Sequence, residues 1–469
     1  MGGLGFDLAI RGGTVVTPGG TRSLDIGVRG GRIARLGGDV AAGRELDATG
    51  LIVVPGGVDA HVHLVPAPPG GQAGQGPGWV DDFWTGSLAA IAGGITTIGN
   101  MTFPAEGESM RAAIAREMAA AGQQAAADWF LHPVLADPGP GSAAEIAMLG
   151  SEGHRSVKVF LVDPGVAARG PDLAAAFEAA ARAGSLVLVH CEDAGLIERA
   201  GRELIAAGRG AVRHFPDARP VTAEVAAVER AIGLGRAAGA AIYVVHLSSS
   251  AALAACRRAR DGGQRVYVET RPLYLHLTRE RFDEPDAAKY VGAPPLRDRG
   301  DRDALWRGLC DEDVDTVCSD HAPWALAAKL DPALTVLTAR QGVADLETLM
   351  PMLYSEGVVT GRLTLSRFAD LTSSNAAKLF GLYPRKGAIA VGSDADLVLW
   401  DPSERRIVRG AGMQTRADYS VYDGWQVQGW PRFVLSRGKI VLADGGITAR
   451  PGQGQWVHRG PLTPLQERA

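Results

Sequence analysis

A chain of 469 residues, 46% hydrophobic and 21% charged, has the balance of a globular protein with one large domain and a smaller one. Lys+Arg 48 stand against Asp+Glu 52, a net charge of −4 without a long run of either sign, which argues against nucleic acid or an anionic membrane as partner. No stretch nears the roughly 18 uninterrupted apolar residues of a membrane span, MGGLGFDLAIRGG lacks the pattern of a secretion signal, and Cys191, Cys256, Cys310 and Cys318 form no CxxC, so a reducing cytoplasm is expected.

The first 55 residues read as short strands broken by Gly-Gly and Pro-Gly turns: DLAIRGGTVVTPGG, SLDIGVRGGRIARLG and RELDATGLIVVPGG. Alternating apolar residues between such turns predict a small antiparallel β element. From 56 to 384 apolar β-type runs alternate with Ala-rich helical windows such as PDLAAAFEAAARAG. Eight runs qualify as strands: VDAHVHL, GITTIGN, DWFLHPVL, RSVKVFLV, SLVLVHC, AIYVVHLS, RVYVET and VDTVCSD. Near-continuous Val, Ile and Leu suit parallel strands buried on both faces. Eight strand–helix units predict an α/β chain with a (β/α)8 TIM barrel. A doubly wound open sheet is the alternative, but no G-x-G-x-x-G follows the first strand. Residues 385–469 return to the opening texture with GAIAVGSDADLVLWDP and PRFVLSRGKIVLADGG. The expected architecture is a barrel over 56–384 inserted into a small β-sandwich domain built from 1–55 and 385–469.

In a barrel the chemistry sits at the carboxyl ends of the strands. There the eight runs carry His61, His63, Lys158, His190, His246 and Asp320. In GGVDAHVHL, His61 and His63 are two apart, so both imidazoles point to one side of an extended chain, with Asp59 close by. A single strand histidine is as readily a hydrogen-bonded core residue as a ligand. Four at one rim, with an aspartate and a strand lysine, call for a shared partner, because burying so many polar groups separately is costly. Nitrogen and oxygen donors without thiolate fit zinc, or another first-row divalent ion such as manganese or iron. An ammonium repels a cation. Lys158 that has captured carbon dioxide becomes an anionic ligand able to bridge two metals; a plain Lys–carboxylate pair is the alternative on residue type alone.

This order of residues, ending in Ser-Asp-His, resembles the metal pattern of the amidohydrolase superfamily. Within it the chain is similar to the cyclic amidohydrolases of the hydantoinase/dihydropyrimidinase family, with allantoinase and dihydroorotase as relatives. The resemblance runs nearly end to end, through GGVDAHVHL, DDFWTGSLAAIAGGITT, SVKVF, VHCED, VVHLSS, APPLR, VCSDHAPW, NAAKLFGLYPRKGAIAVGSDADLVLWDP and GWPRFVLSRGK. It implies that His61, His63 and Asp320 hold one divalent ion and His190 and His246 a second. Carboxylated Lys158 and a hydroxide would bridge the two ions, roughly 3.5–4 Å apart. Zn2+ is the expected metal, with Mn2+ as the alternative. The implied reaction opens a small cyclic amide to an N-carbamoyl amino acid, with Asp320 as general base and then acid. A homotetramer or homodimer is implied as well.

The chain departs from the family pattern in two places. A tyrosine that donates to the oxyanion usually follows five residues after the bridging lysine; here Asp163 stands there. Arg271 stands before the proline of VETRPLYLHL, where a small residue or Cys is usual, either clamping substrate or, as the favoured reading, pairing with Asp163 or Glu269. The resemblance marks Ala293 and Ala344 for backbone loops that read the –NH–CO–NH– edge. It leaves His321 and Trp324 as substrate contacts or supports, and Asp59 as a support for His61. Trp79, Phe83 and Trp84 follow the first strand and offer either an apolar wall for a ring substituent or ordinary packing. His132, His154, His214, His276 and His458 match no ligand position. The missing tyrosine keeps two rivals in view: an allantoinase-like hydrolase, and a non-catalytic scaffold like the neuronal relatives of dihydropyrimidinase. The scaffold is disfavoured by the six retained ligands.

Overall fold

The computed structural model describes residues 5–66 and 78–465; the stretch 67–77 of the aromatic loop after the first barrel strand lies outside the described residues. The N-terminal part forms β1 (Leu8–Thr17), β2 (Gly20–Arg29), β3 (Arg32–Leu36), β4 (Glu45–Asp47) and β5 (Ile52–Pro55). β1–β2 and β2–β3 are antiparallel, but β4 and β5 run parallel to β1, so the element is mixed rather than antiparallel. Alternation fixes only which residues face inward. The direction of pairing depends on the connection, and β2 and β3 lie between β1 and β4, giving the chain length enough for a parallel return. The Gly-Gly of β1 is a bulge, with register shifting between Ile10 and Gly13. Gly12 sits there at φ 74°, where a Cβ would stand 2.8 Å from Thr49 Oγ1.

Eight parallel strands follow: β6 (Gly57–Val62), β7 (Ile95–Thr102), β8 (Asp128–Pro133), β9 (Ser156–Phe160), β10 (Leu186–His190), β11 (Ile242–Val244), β12 (Val266–Thr270) and β13 (Thr316–Val317). They form a three-stranded run, β6-β7-β8, and a five-stranded run, β9 to β13. Parallel bridges Val134–Lys158 and Val62–His321 join the runs at both edges. Leu135 N donates to Lys158 O and His63 N to His321 O, each at 2.8 Å. The two runs thereby close into one barrel, and its seams pass through residues that carry the polar cluster. Helices such as Phe83–Ala92, Met110–Gln124, Gly170–Arg182, Val221–Ala238 and Ser250–Asp261 cover the outside, so both faces of each strand are buried.

The C-terminal part adds β14 (Leu397–Ile407), β15 (Gln426–Ser436), β16 (Lys439–Ala443) and β17 (Gly446–Ile447). β14 pairs antiparallel with β5, so strands from both chain ends share one nine-stranded sheet. Buried Lys386 ties this sheet to the barrel: its Nζ lies 2.5 Å from Asp128 Oδ2 on β8, 3.0 Å from Asp394 Oδ2 and 2.5 Å from Asp396 Oδ2. Arg437 adds a second cation on Asp128. Among the described residues no helix is long and apolar enough to cross a membrane.

Candidate metal centre

His61, His63, Lys158, His190, His246 and Asp320 are all buried, none more than 7% exposed, and meet at the carboxyl end of the barrel. His63 Nε2 lies 2.9 Å and His61 Nε2 3.3 Å from Asp320 Oδ1. The ligand atoms of these three residues lie within 4.8 Å of one another. Lys158 Nζ stands 3.5 Å from His61 Nε2. The rings of His61 and His190 lie 5.4 and 4.6 Å from that of His246.

Simple alternation does not deliver all six. On β10, Leu186 and Leu188 pack in one cluster with Val58, Ala60, Tyr243 and Val245, while Val187 and Val189 pack in another with Val62, Ile242 and Val244. His190 keeps step with the first set. His61 does not keep step with Val58 and Ala60; a register shift between Asp59 and Val62 changes the phase and turns His61 and His63 to that side. His246, out of step with Tyr243 and Val245, adopts φ 38°, and Asp320 adopts φ 49°. Left-handed backbone in non-glycine residues is costly and is held here by the surrounding structure.

Carboxylates orient the imidazoles. His61 Nδ1 donates to Glu269 Oε1 at 2.8 Å, leaving the Nε2 lone pair for a ligand. Glu269 also accepts from the His246 backbone N–H at 2.9 Å and from Tyr243 OH at 2.9 Å. His190 Nε2 donates to Glu192 Oε2 at 2.8 Å, and Arg219 grips Glu192 at 3.0 and 2.7 Å. Asp59 accepts from the backbone N–H groups of His61 and Ser319, each at 3.1 Å. His321 donates through Nε2 to Asp81 Oδ2 at 2.9 Å and accepts at Nδ1 from Leu346 N at 3.3 Å. Both of its ring nitrogens are taken, which makes it a support.

Burial, helped by the Lys158 charge, holds His61 well below its ordinary pKa, and burial with neighbouring His190 does the same for His246. These rings are neutral at pH 7, the form that binds metals. Burial lowers Lys158 to about 8 against the pull of Glu269 and Asp320, and raises Glu269 to about 7. Burial pushes the Asp320 carboxyl upward, yet Arg271 and then His61 hold it well below the carboxylate range. The Nδ1 atoms of His63 and His246 are buried without a partner among the described residues. Neutral imidazoles beside an ionised carboxylate fit a divalent cation, and an amine with so low a pKa fits carbon dioxide capture.

The expected partners of Arg271 need correcting. It pairs with neither Asp163 nor Glu269: NH1 donates to Asp320 Oδ2 at 2.6 Å and NH2 to Asp345 Oδ2 at 3.1 Å. Asp163 is exposed and caps the helix Pro164–Ala168, accepting from Gly165 N at 2.7 Å. The Pro-Gly after it makes a helix start, where a carboxylate satisfies free N–H groups. Ala293 and Ala344 are buried in their two loops, which Lys329 joins by donating to Val291 O at 2.7 Å and Gly342 O at 2.6 Å. Trp324 is half-buried and bound through its indole N–H to Gln341 O at 2.8 Å. Of the three loop aromatics, Phe83 is fully buried in its helix and Trp84 packs on the core. Trp79 alone borders the site, its ring 4.7 Å from that of His63. Its indole N–H is buried and has no hydrogen-bond partner among the described residues. His132 is structural, bonded to Ser156 Oγ at 2.7 Å and Ala60 O at 3.0 Å.

Sequence reasoning missed Glu192, Lys329, Asp81 and Asp345, and it gave Glu269 the wrong partner. Two of these had a signal: Glu192 lies two residues after His190, and Glu269 stands at the carboxyl end of a barrel strand. Asp81 and Asp345 sit in loops and Lys329 ends the short helix Leu326–Lys329, and none of the three had a signal.

A closed α/β barrel with histidines, a lysine and an aspartate converging at its carboxyl rim is the architecture of a metal-dependent hydrolase. The amidohydrolase family model matches residues 52–441, and the chain belongs to that family. Within it the chain falls in the hydantoinase and dihydropyrimidinase branch. It is 35% identical to the D-hydantoinase of Rhizobium radiobacter over 459 residues, 97% of this chain and 99% of the other. It is 36% identical to the D-phenylhydantoinase of Escherichia coli over 461 residues, 97% and 98% of the two chains. The crystal structure of dihydropyrimidinase from Brevibacillus agri superposes with a TM-score of 0.90 at 35% identity, covering 97% and 99% of the two chains.

Proposed function

We propose that this protein hydrolyses the ring amide of a hydantoin or dihydropyrimidine to an N-carbamoyl amino acid. The observation that carries the reading is the convergence of four buried, neutral imidazoles on Lys158 and Asp320. His61, His63 and Asp320 would hold one divalent ion, His190 and His246 a second, with Lys158 bridging as its carbamate; Zn2+ suits this donor set. Bound there, the ions supply Lewis acidity for the ring carbonyl and a water that ionises near neutral pH.

The remaining work falls to the chain. Asp320 accepts the proton of the attacking water and delivers it to the leaving ring nitrogen. Glu269 and Glu192 keep His61 and His190 in one tautomer and orientation. The loops at Ala293 and Ala344, held together by Lys329, offer backbone groups to the –NH–CO–NH– edge. Trp79 gives the ring substituent an aromatic neighbour beside His63, which suits the aryl group named in the Escherichia coli relative. The reading includes a cytoplasmic homotetramer or homodimer. Asp163 in the tyrosine position supports one rival, an allantoinase-like substrate.

The test is a substrate panel with Zn2+-reconstituted protein: hydantoin, 5-phenylhydantoin, dihydrouracil, dihydroorotate and allantoin. Ring opening of the first three is expected, and preference for allantoin would move the substrate assignment. Two bound ions with no turnover of any member would refute the reading. Intact mass should show one carbon dioxide adduct, and Lys158→Ala should lose the adduct, the metal and activity together.

A further inference from the structure

The side chain of Arg271 is wholly buried among the described residues. Its two terminal nitrogens are divided between carboxylates: NH1 on Asp320 Oδ2 at 2.6 Å and NH2 on Asp345 Oδ2 at 3.1 Å. Asp320 is divided in turn. Its Oδ1 faces His63 Nε2 at 2.9 Å and His61 Nε2 at 3.3 Å, while Oδ2 is held from behind. A carboxylate free to turn about its last bond offers either oxygen, or both, to a cation. One gripped through Oδ2 by a planar guanidinium presents Oδ1 to a cation, and the second lone pair of Oδ2 stays available for the water's proton. A cationic guanidinium so near a divalent site would be expelled unless its charge were balanced. Asp345, 0% exposed, supplies that balance.

We propose that Arg271, balanced by Asp345, is a positioning residue that fixes Asp320 as a single-oxygen ligand aimed at His61 and His63. This rests on the metal-centre reading above. It assigns the guanidinium to the support of the ligand set, with both terminal nitrogens engaged by carboxylates of the chain itself.

The decisive measurement is Zn2+ affinity of the metal-depleted full-length chain, by chelator competition, alongside steady-state kinetics. The double variant Arg271→Met/Asp345→Asn removes one charge of each sign, so the net charge of the buried trio with Asp320 stays at −1 while Asp320 loses its grip. It should keep the wild-type circular dichroism, bind Zn2+ about 10- to 100-fold more weakly, and lose kcat with KM little changed. Arg271→Lys keeps a charge but not the fork, and should lose affinity as well; it also serves if the double variant does not fold. Wild-type Zn2+ affinity in either variant overturns the proposal, as does a rise confined to KM, which would mean that Arg271 meets substrate. Failure of the underlying reading looks different, since the wild-type protein itself would then bind no Zn2+.

Discussion

Glu269 shows how a single buried carboxylate can organise a site without touching what the site binds. It takes the Nδ1–H of His61 and the backbone N–H of His246, and so sets the tautomer of one proposed ligand and the chain path of another. Glu269→Gln should weaken Zn2+ retention about 10- to 100-fold, read by chelator competition; unchanged retention would demote the contact to packing. Asp320→Asn should leave the fold intact and lower kcat by about 10²- to 10⁴-fold. Near-normal rates would take Asp320 out of proton transfer. Away from the ions, Glu117 is buried against Asn100 Nδ2 at 2.9 Å and Thr102 Oγ1 at 2.8 Å, and burial raises it to about 7. Its folded form holds the proton more tightly than the unfolded chain, whose value is near 4.5. Its contribution to stability is therefore full below that value, falls as pH climbs to about 7, and is flat above. Glu117→Gln should flatten the decline in melting temperature between pH 5 and pH 7.5; an identical slope would contradict this.

Among the elements, the strands matter to the site mostly where they break their own rule. Period 2 places Lys158 and His190 correctly, but His61 depends on a bulge and His246 on a left-handed residue. These irregularities recur at the carboxyl ends because a ring of donors must aim at one point, which straight strands of fixed pitch cannot do from every position. Helices make the simpler contribution of holding the strands in place. The helix Ala194–Ala206 follows His190 and is capped by Asp193, which accepts from Leu196 N at 2.9 Å. Asp193→Ala should cost about 1 kcal/mol of stability, seen in thermal melts. A loss several times larger would mean that the cap also supports the ligand strand.

Across the whole molecule, the barrel and the nine-stranded sheet are locked by Lys386 among Asp128, Asp394 and Asp396. Lys386→Met would take the shared cation from three buried carboxylates, leaving Arg437 on Asp128 and Arg385 on Asp394, and should cost about 3–5 kcal/mol, measured by denaturant unfolding; a change under about 1 kcal/mol would show that the arginines balance the cluster. The number and order of the barrel strands, the residue types at their ends and the six candidate ligands could be read from the linear chain. Apolar periodicity and the spacing of polar residues are local properties, and each residue carries them wherever it is. The parallel run of β4 and β5, the phase breaks at His61 and His246, and the partners of Arg271 could not be read in that way. Arg271 meets carboxylates 49 and 74 residues further along the chain. Which of several acids a buried cation reaches is decided by distances that exist only once the barrel has closed.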